Sequence, residues 1–189
     1  AALAQAETLV TTFPTSRYVD VAWYRLGQLR QDGKRYDDAI KAFEKTVAAK
    51  PAGARAPWAL LAIGWCHEAA GRLPEAITAW TRLIEAAPDS SAVDAALLAR
   101  GDARYRSGDF PAGLDDAKQF VGSPRQRDTN PSATAEARML EGLCLVGLKR
   151  YADAVTVFRR VLEEQPLFAS TDRVAFEMGV AQLLDGKRA

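Results

Sequence analysis

The most restrictive feature of this 189-residue chain is a set of glycines that recurs with a nearly fixed period. Steps of 37, 37, 41 and 37 residues separate Gly27, Gly64, Gly101, Gly142 and Gly179. Prolines follow the same rhythm at Pro14, Pro51, Pro88 and Pro166. A recurrence of this length is typical of repeat proteins, in which each unit buries its apolar face only against its neighbours. The period therefore predicts a stack of similar units.

Further positions of each repeat are in phase with the glycine. Twelve residues after it stands a small residue, and four residues later three of the repeats have an aromatic one. The small residues are Ala39, Ala76, Gly113 and Ala154, and the aromatic residues are Phe43, Trp80 and Phe158. Small residues let two helices approach closely while bulky ones fill the space beside them. Alanine, the best helix former, accounts for 36 residues, and this abundance favours an all-helical fold.

This order of residues resembles the tetratricopeptide repeat, a helix–turn–helix unit of about 34 residues. Residues 23–27 (Trp-Tyr-Arg-Leu-Gly) are similar to the family's first helix, and residues 36–43 open a second helix that Pro51 ends. The extra residues of each repeat fall between repeats, in segments such as 52–54. The resemblance covers essentially the whole chain. It implies an all-α fold, a right-handed superhelix (α-solenoid) of about ten antiparallel helices.

The period also predicts the organisation of the chain. We expect helices at about 1–13, 17–32, 36–49, 54–70, 73–86, 91–107, 110–121, 131–147, 151–164 and 168–184. They would form one array over 1–189, with half repeats 1–14 and 172–189 and whole repeats 20–51, 57–88, 94–125 and 135–166. Segment 121–130 is predicted to be a surface loop that accounts for the 41-residue step. Because both ends divide a repeat, we expect a fragment of a larger protein, and we hypothesise a homodimer through the exposed half repeats.

Composition excludes several kinds of function. A net charge of +1 provides no general field for nucleic acid or an anionic membrane. One histidine and two cysteines are too few for a multi-histidine metal site or a four-cysteine zinc site. No apolar run reaches the roughly 18 residues that a membrane-spanning helix needs. We therefore expect no catalytic, cofactor or metal site, no nucleic-acid partner and no direct membrane insertion.

Few side chains indicate chemistry of their own. Cys66 and Cys144 both stand two residues after the repeat glycine, a small apolar position, so we expect buried free thiols. His67 is expected to pack in a position that is often aromatic in the family. Arg100 and Glu141 replace the leucine that usually precedes the glycine, and we hypothesise an ion pair between them.

The resemblance implies that first helices line a concave groove, which holds a peptide or a helix of another protein. Carrying the family's groove positions onto this chain selects Tyr24, Gln28, Trp58, Leu61, Trp65, Leu98, Asp102, Tyr105, Arg106, Met139 and Leu143. The residue three before the glycine is apolar or aromatic in every repeat, and Trp58 and Trp65 share one helix face. Aromatic residues are typical binding hot spots. The alternative is that several of these side chains pack between repeats.

One subclass of the family grips the terminal carboxylate of chaperones with lysine, asparagine and arginine side chains. The corresponding positions of this chain hold Tyr24, Gln28, Ala62, Ala95 and Ala99. None of these side chains can neutralise a carboxylate. We therefore expect the groove to bind an apolar segment instead.

The leading interpretation is a non-catalytic scaffold that binds another protein. Two alternatives stay open: a structural or assembly component of a bacterial cell envelope, and a docking domain of a larger enzyme. Residues 13–27 are similar to repeats of bacterial periplasmic and outer-membrane proteins, and arginine outnumbers lysine 18 to 7, as in GC-rich bacterial genes. We therefore favour the periplasm, or the periplasmic face of the outer membrane, over the cytoplasm. The unpaired cysteines argue against this setting, because the periplasm is an oxidising compartment.

Overall fold

The computed structural model of the chain describes residues 2–123 and 130–186. In these two ranges the chain forms ten α-helices and no strand. They are α1 (Ala2–Thr12), α2 (Val19–Asp32), α3 (Tyr36–Ala49), α4 (Ala56–Ala69), α5 (Leu73–Ala86), α6 (Ala92–Arg106), α7 (Phe110–Gly122), α8 (Pro131–Gly147), α9 (Tyr151–Glu164) and α10 (Thr171–Gly186). The predicted all-α class and the ten predicted helices are confirmed. The predicted loop 121–130 lies mostly outside the described residues, as do the last residues of segments 94–125 and 172–189.

The chain divides into two compact units, Ala1–Ala96 and Leu97–Ala189, with the boundary inside α6. In unit 1, α1 packs against α2, α2 against α3, α3 against α4 and α4 against α5. In unit 2, α7 packs against α8, α8 against α9 and α9 against α10. In unit 1, and from α8 onward in unit 2, short turns join helices that lie side by side, as the repeat pattern requires.

Proline and polar caps set the helix ends. α1, α3, α5 and α9 each end two residues before a proline, at Pro14, Pro51, Pro88 and Pro166. Proline cannot continue a helix, so it marks the end. Pro74 and Pro111 lie in the first turns of α5 and α7, where the missing N–H leaves no helical hydrogen bond unmade. Asp109 caps α7 by accepting a hydrogen bond from the Ala112 N–H at 3.3 Å.

The glycines and aromatic residues that share the period meet inside the hairpins. A Cβ added to Gly27 would lie 2.5 Å from the nearest ring atom of Phe43. Such an atom on Gly64 or Gly142 would lie closer still to Trp80 or Phe158, respectively. All three rings are fully buried. Glycine therefore lets α2, α4 and α8 rest directly on the aromatic side chains of their second helices.

The α6–α7 hairpin is held differently. Asp116, fully buried, accepts hydrogen bonds from Arg100 Nε at 3.0 Å and Arg100 Nη2 at 2.6 Å. Arg104 Nη1 reaches the same carboxylate at 2.8 Å. Arg100 is thus paired with Asp116, not with Glu141 as hypothesised. A bidentate arginine–carboxylate pair is a strong charge-assisted contact, and here it joins the two helices of the hairpin.

The turn within each hairpin has a left-handed residue at one position of the repeat. It is a glycine in two hairpins, Gly71 (φ 76°) and Gly108 (φ 81°), and a lysine in two others, Lys34 (φ 57°) and Lys149 (φ 61°). Glycine adopts this backbone conformation without the steric cost that a Cβ brings. The turn geometry is therefore part of the repeat even where glycine is absent.

Candidate protein-binding site

In unit 1, α4 presents two tryptophans to solvent. Trp58 is 42% exposed and Trp65 is 40% exposed, and their spacing of seven residues places them on one helix face. Leu61, also predicted as a contact residue, is fully buried. Its side chain lies in the core, on the side of α4 that the neighbouring helices cover. The two tryptophans are thus the accessible aromatic pair of α4.

Tyr24 and Gln28, on α2, are both half-buried. The Tyr24 ring packs against Phe43, with ring centroids 5.6 Å apart and planes tilted by 59°. Burial raises the pKa of the Tyr24 phenol above its usual value. Gln28 Oε1 accepts a hydrogen bond from Arg25 Nη1 at 2.9 Å. Tyr24 therefore contributes to the core of its hairpin and offers only part of its ring to a partner.

In unit 2, first helices α6 and α8 and the start of α10 enclose a depression of about 390 Å³, here called the unit 2 groove. It is lined by Leu98, Ala99, Asp102, Tyr105, Glu136, Met139, Leu140, Leu143, Ser170 and Arg173. Five predicted site residues come together here: Leu98, Asp102, Tyr105, Met139 and Leu143. Leu98 and Met139 are half-buried and Leu143 is buried. The floor is therefore apolar, and part of it is open to solvent.

The rim of the unit 2 groove carries both signs of charge. Asp102, Glu136 and Arg173 line it, whereas Arg106, the remaining predicted residue of unit 2, lies outside the lining. Arg106 is exposed and donates from Nη1 to Asp102 Oδ2 at 3.3 Å. Tyr105 is half-buried and packs on Phe110, with ring centroids 5.8 Å apart. Burial raises the pKa of the Tyr105 phenol, and the nearby Glu177 carboxylate adds to that rise. The phenol therefore stays protonated at neutral pH and can donate a hydrogen bond to a partner.

A second depression in unit 2, of about 500 Å³, holds a cluster of charges that the predicted site does not include. Lys118, Arg138 and Arg160 line it together with Glu141 and Glu164. Glu164 accepts hydrogen bonds from Arg138 and from Arg160 Nε, the latter at 2.6 Å, and the Arg160 bond is the main reason that its pKa is lowered. Burial raises the pKa of Glu141 despite the three cations.

A third depression, of about 290 Å³, lies between α1 and α2 and is almost wholly apolar. It is lined by Ala6, Leu9, Phe13, Ser16, Tyr18, Val19, Val21, Ala22 and Arg25. Leu9, Phe13 and Tyr18 are each more than half exposed. The groove positions of the family do not select Leu9, Phe13 or Tyr18, since these residues belong to a second helix and the turn after it. The apolar side of the predicted helix 1–13 is the sequence feature that points to them.

The two thiols and the histidine are packed as predicted. Cys66 and Cys144 are fully buried free thiols. Burial raises the pKa of Cys66 to about 11 and that of Cys144 to about 12, so both remain protonated and unreactive. His67 is half-buried, burial lowers its pKa, and its Nδ1 has no hydrogen-bond partner among the described residues.

The repeat geometry agrees with a family model. The model of the tetratricopeptide repeat matches residues 1–54, 24–91 and 98–167. The chain belongs to the tetratricopeptide repeat family. Tetratricopeptide repeats generally mediate protein–protein interaction and are generally non-catalytic. The all-α solenoid class that the sequence predicts is thereby confirmed.

Three solved structures share this fold. A tetratricopeptide repeat protein from Parabacteroides merdae ATCC 43184 is 13% identical, with a TM-score of 0.72 over 98% of this chain and 70% of that one. The MamA RS-1 ArsTM double mutant is 12% identical, with a TM-score of 0.67 over 89% of this chain and 96% of that one. A thermophilic tetratricopeptide repeat protein of Thermus thermophilus is 16% identical, with a TM-score of 0.56 over 96% of this chain and 89% of that one. At these identities the likeness concerns the fold alone.

Curated protein sequences give no match. Among the described residues, no helix combines the length and the apolar character that crossing a membrane requires.

Proposed function

We propose that the protein is a non-catalytic scaffold that holds an extended or helical segment of another protein against its first helices. The observation that carries this proposal is the unit 2 groove, where Leu98, Tyr105 and Met139 surround one accessible depression. Family membership supports it, since tetratricopeptide repeats generally bind other proteins.

The groove suits a segment with apolar anchors and polar flanks. Leu98 and Met139 are half-buried, so they are held in place by their neighbours and still offer apolar area. Methionine adapts its shape to different partners. Asp102, Glu136 and Arg173 line the same depression, and rim charges of this kind steer a partner and fix its register more than they add affinity.

The tryptophan pair of α4 provides a second contact surface in unit 1. An indole ring buries a large area at low entropic cost, and tryptophan is enriched in binding hot spots. Trp58 and Trp65 are each about two-fifths exposed, so a partner can cover them without rearranging the helix. We propose that they act as aromatic anchors.

A binding measurement with matched variants tests the proposal. A partner is isolated from an extract of the source organism with the wild-type chain, and its binding segment is then titrated as a synthetic peptide. Leu98→Ala with Met139→Ala, and separately Trp58→Ala with Trp65→Ala, should each weaken binding about tenfold or more. Leu167→Ala is the control, because Leu167 is almost fully exposed and lies outside the groove lining. Equal affinity in all variants would contradict the proposal.

We further propose that the scaffold works in a bacterial cell envelope, in the periplasm or on the periplasmic face of the outer membrane. The similarity of residues 13–27 to envelope repeats supports this setting. Burial of Cys66 and Cys144 removes the objection from unpaired cysteines, since a buried protonated thiol resists oxidation. Fractionation of the source bacterium tests it: recovery of the native protein with the cytosol would refute it. Recovery within an enzyme polypeptide would favour the docking-domain alternative.

A further inference from the structure

The charged depression of about 500 Å³ in unit 2 is formed by the second helices α7 and α9 and the first helix α8, and is here called the α7–α9 pocket. All three helices contribute charged side chains to it: Lys118 from α7, Arg138 and Glu141 from α8, and Arg160 and Glu164 from α9. The pocket shares no lining residue with the unit 2 groove. It is therefore a separate site from the one that carries the proposed function.

Two charges of the pocket stand at repeat positions that are mostly apolar elsewhere. Arg138, which is buried, stands four residues before the repeat glycine, where the other repeats have Trp23, Leu60, Leu97 and Ala175. Glu141, which is half-buried, directly precedes the glycine, where three other repeats have Leu26, Ile63 and Met178. Burying a charge costs free energy that an apolar side chain would not. Such departures from a consistent pattern are typical of functional sites.

The cations of the pocket have more donors than its carboxylates use. Glu164 accepts one hydrogen bond from Arg138 and one from Arg160 Nε. A guanidinium group has five N–H donors, so both arginines have donors left for a further acceptor. Lys118 is exposed and adds a third positive charge. Because burial raises the pKa of Glu141, its carboxyl group takes up a proton more readily than usual when an anion lies beside it.

The start of α8 adds to the positive potential of the pocket. Pro131 and Thr134, both in the first turn of this 17-residue helix, line the pocket. The N-terminus of a helix carries a partial positive charge that favours anions. One bidentate arginine is enough for a carboxylate, whereas a phosphate group has three acceptor oxygens and up to two negative charges. Three cations from three helices therefore suit a phosphate group better.

We propose that the α7–α9 pocket binds a phosphate monoester, whose oxygens contact Lys118, Arg138 and Arg160. A phosphorylated side chain of another protein and a small organic phosphate share this chemistry. The volume of about 500 Å³ accommodates the phosphate together with part of the group that carries it. The inference is independent of the proposed function, because no residue of the unit 2 groove takes part.

Titration of inorganic phosphate into the isotope-labelled chain, followed by NMR at constant ionic strength, tests the site. Saturable shifts should concentrate on the resonances of Lys118, Thr134, Arg138 and Arg160, and acetate should bind more weakly than phosphate. N-acetyl-phosphoserine amide represents a phosphorylated protein and glycerol phosphate a small organic phosphate, so the tighter binder of the two identifies the source. Absence of saturable shifts at these residues with every phosphate probe, or acetate binding as tight as that of phosphate, would overturn the proposal.

Matched variants separate a specific site from general charge attraction. Arg160→Gln and Lys118→Gln should each weaken phosphate binding about threefold or more, because each removes a cation that contacts the ligand. Arg159→Gln is the control, since Arg159 is an exposed neighbour on the same helix and lies outside the pocket lining. Glu141→Gln should bind phosphate more tightly, because it removes a negative charge from the pocket.

The variants also distinguish this site from the proposed function. All four replaced residues lie outside the lining of the unit 2 groove, so partner binding through that groove should be unchanged. Circular dichroism checks that each variant keeps its helices. An equal loss of phosphate binding in Arg159→Gln and Arg160→Gln, or weaker binding in Glu141→Gln, would overturn the proposal and leave the proposed function untouched.

Discussion

At the scale of single residues, the same repeat position has opposite requirements in different helices. Gly142 supports the Phe158 ring, whereas Gly179 has open space around its Cα. Both glycines stand in the middle of a first helix, where glycine costs about 0.5–1 kcal/mol relative to alanine. Whether alanine stabilises or destabilises the fold therefore depends on the neighbouring second helix and not on the sequence position.

This difference predicts opposite effects for one substitution. Gly142→Ala should lower the free energy of unfolding by about 1–3 kcal/mol, because the added methyl group overlaps the Phe158 ring. Gly179→Ala should raise it by about 0.5–1 kcal/mol through helix propensity. Urea denaturation of the two variants measures both changes. The same sign for both would contradict the close contact seen at Gly142.

The half-buried carboxyl of Glu141 predicts a pH-dependent stability. Burial raises its pKa, so its ionisation opposes folding, and this penalty grows as pH rises through its ordinary range towards the folded-state value. Glu141→Gln should therefore stabilise the protein at pH 7, and the gain should vanish near about pH 4, where glutamate is largely protonated in both states. Melting temperatures at the two pH values measure this. An equal effect at both would contradict it.

At the scale of helices, glycine, proline and alanine in phase were sufficient to predict the hairpins and their ends. The contacts across each hairpin were less predictable. Arg100 was expected to pair with Glu141, since both precede a repeat glycine. Its partner is Asp116, sixteen residues away on α7, because α7 lacks the aromatic residue that fills this space in other hairpins. The left-handed backbone of Lys34 and Lys149 could not be predicted from the sequence either, since glycine is the residue that usually indicates that conformation.

The buried ion pair predicts a large loss when its carboxylate is removed. Asp116→Ala should lower the free energy of unfolding by about 3–5 kcal/mol, because Arg100 and Arg104 both bind that carboxylate in a buried setting. Asp115→Ala provides the control, since Asp115 is exposed and surface substitutions usually stay within about 0.5 kcal/mol. A loss in Asp116→Ala no larger than the change in Asp115→Ala would contradict a stabilising role for the buried ion pair.

At the scale of the whole molecule, the chain carries an accessible surface in each of its two units. Family positions placed Leu98, Tyr105 and Met139 around one groove. They could not reveal that Leu61 is fully buried or that Tyr24 packs on Phe43, because accessibility depends on the size of neighbouring side chains.

The central claim is that a partner segment binds in the unit 2 groove, and photo-crosslinking from within the groove tests it most directly. A photoreactive phenylalanine analogue placed at position 139 lies in the groove, and one at position 167 is almost fully exposed outside its lining. The partner should be crosslinked from position 139 and not from position 167, and its unlabelled peptide should compete. Crosslinking from position 167 with none from position 139 would contradict the account.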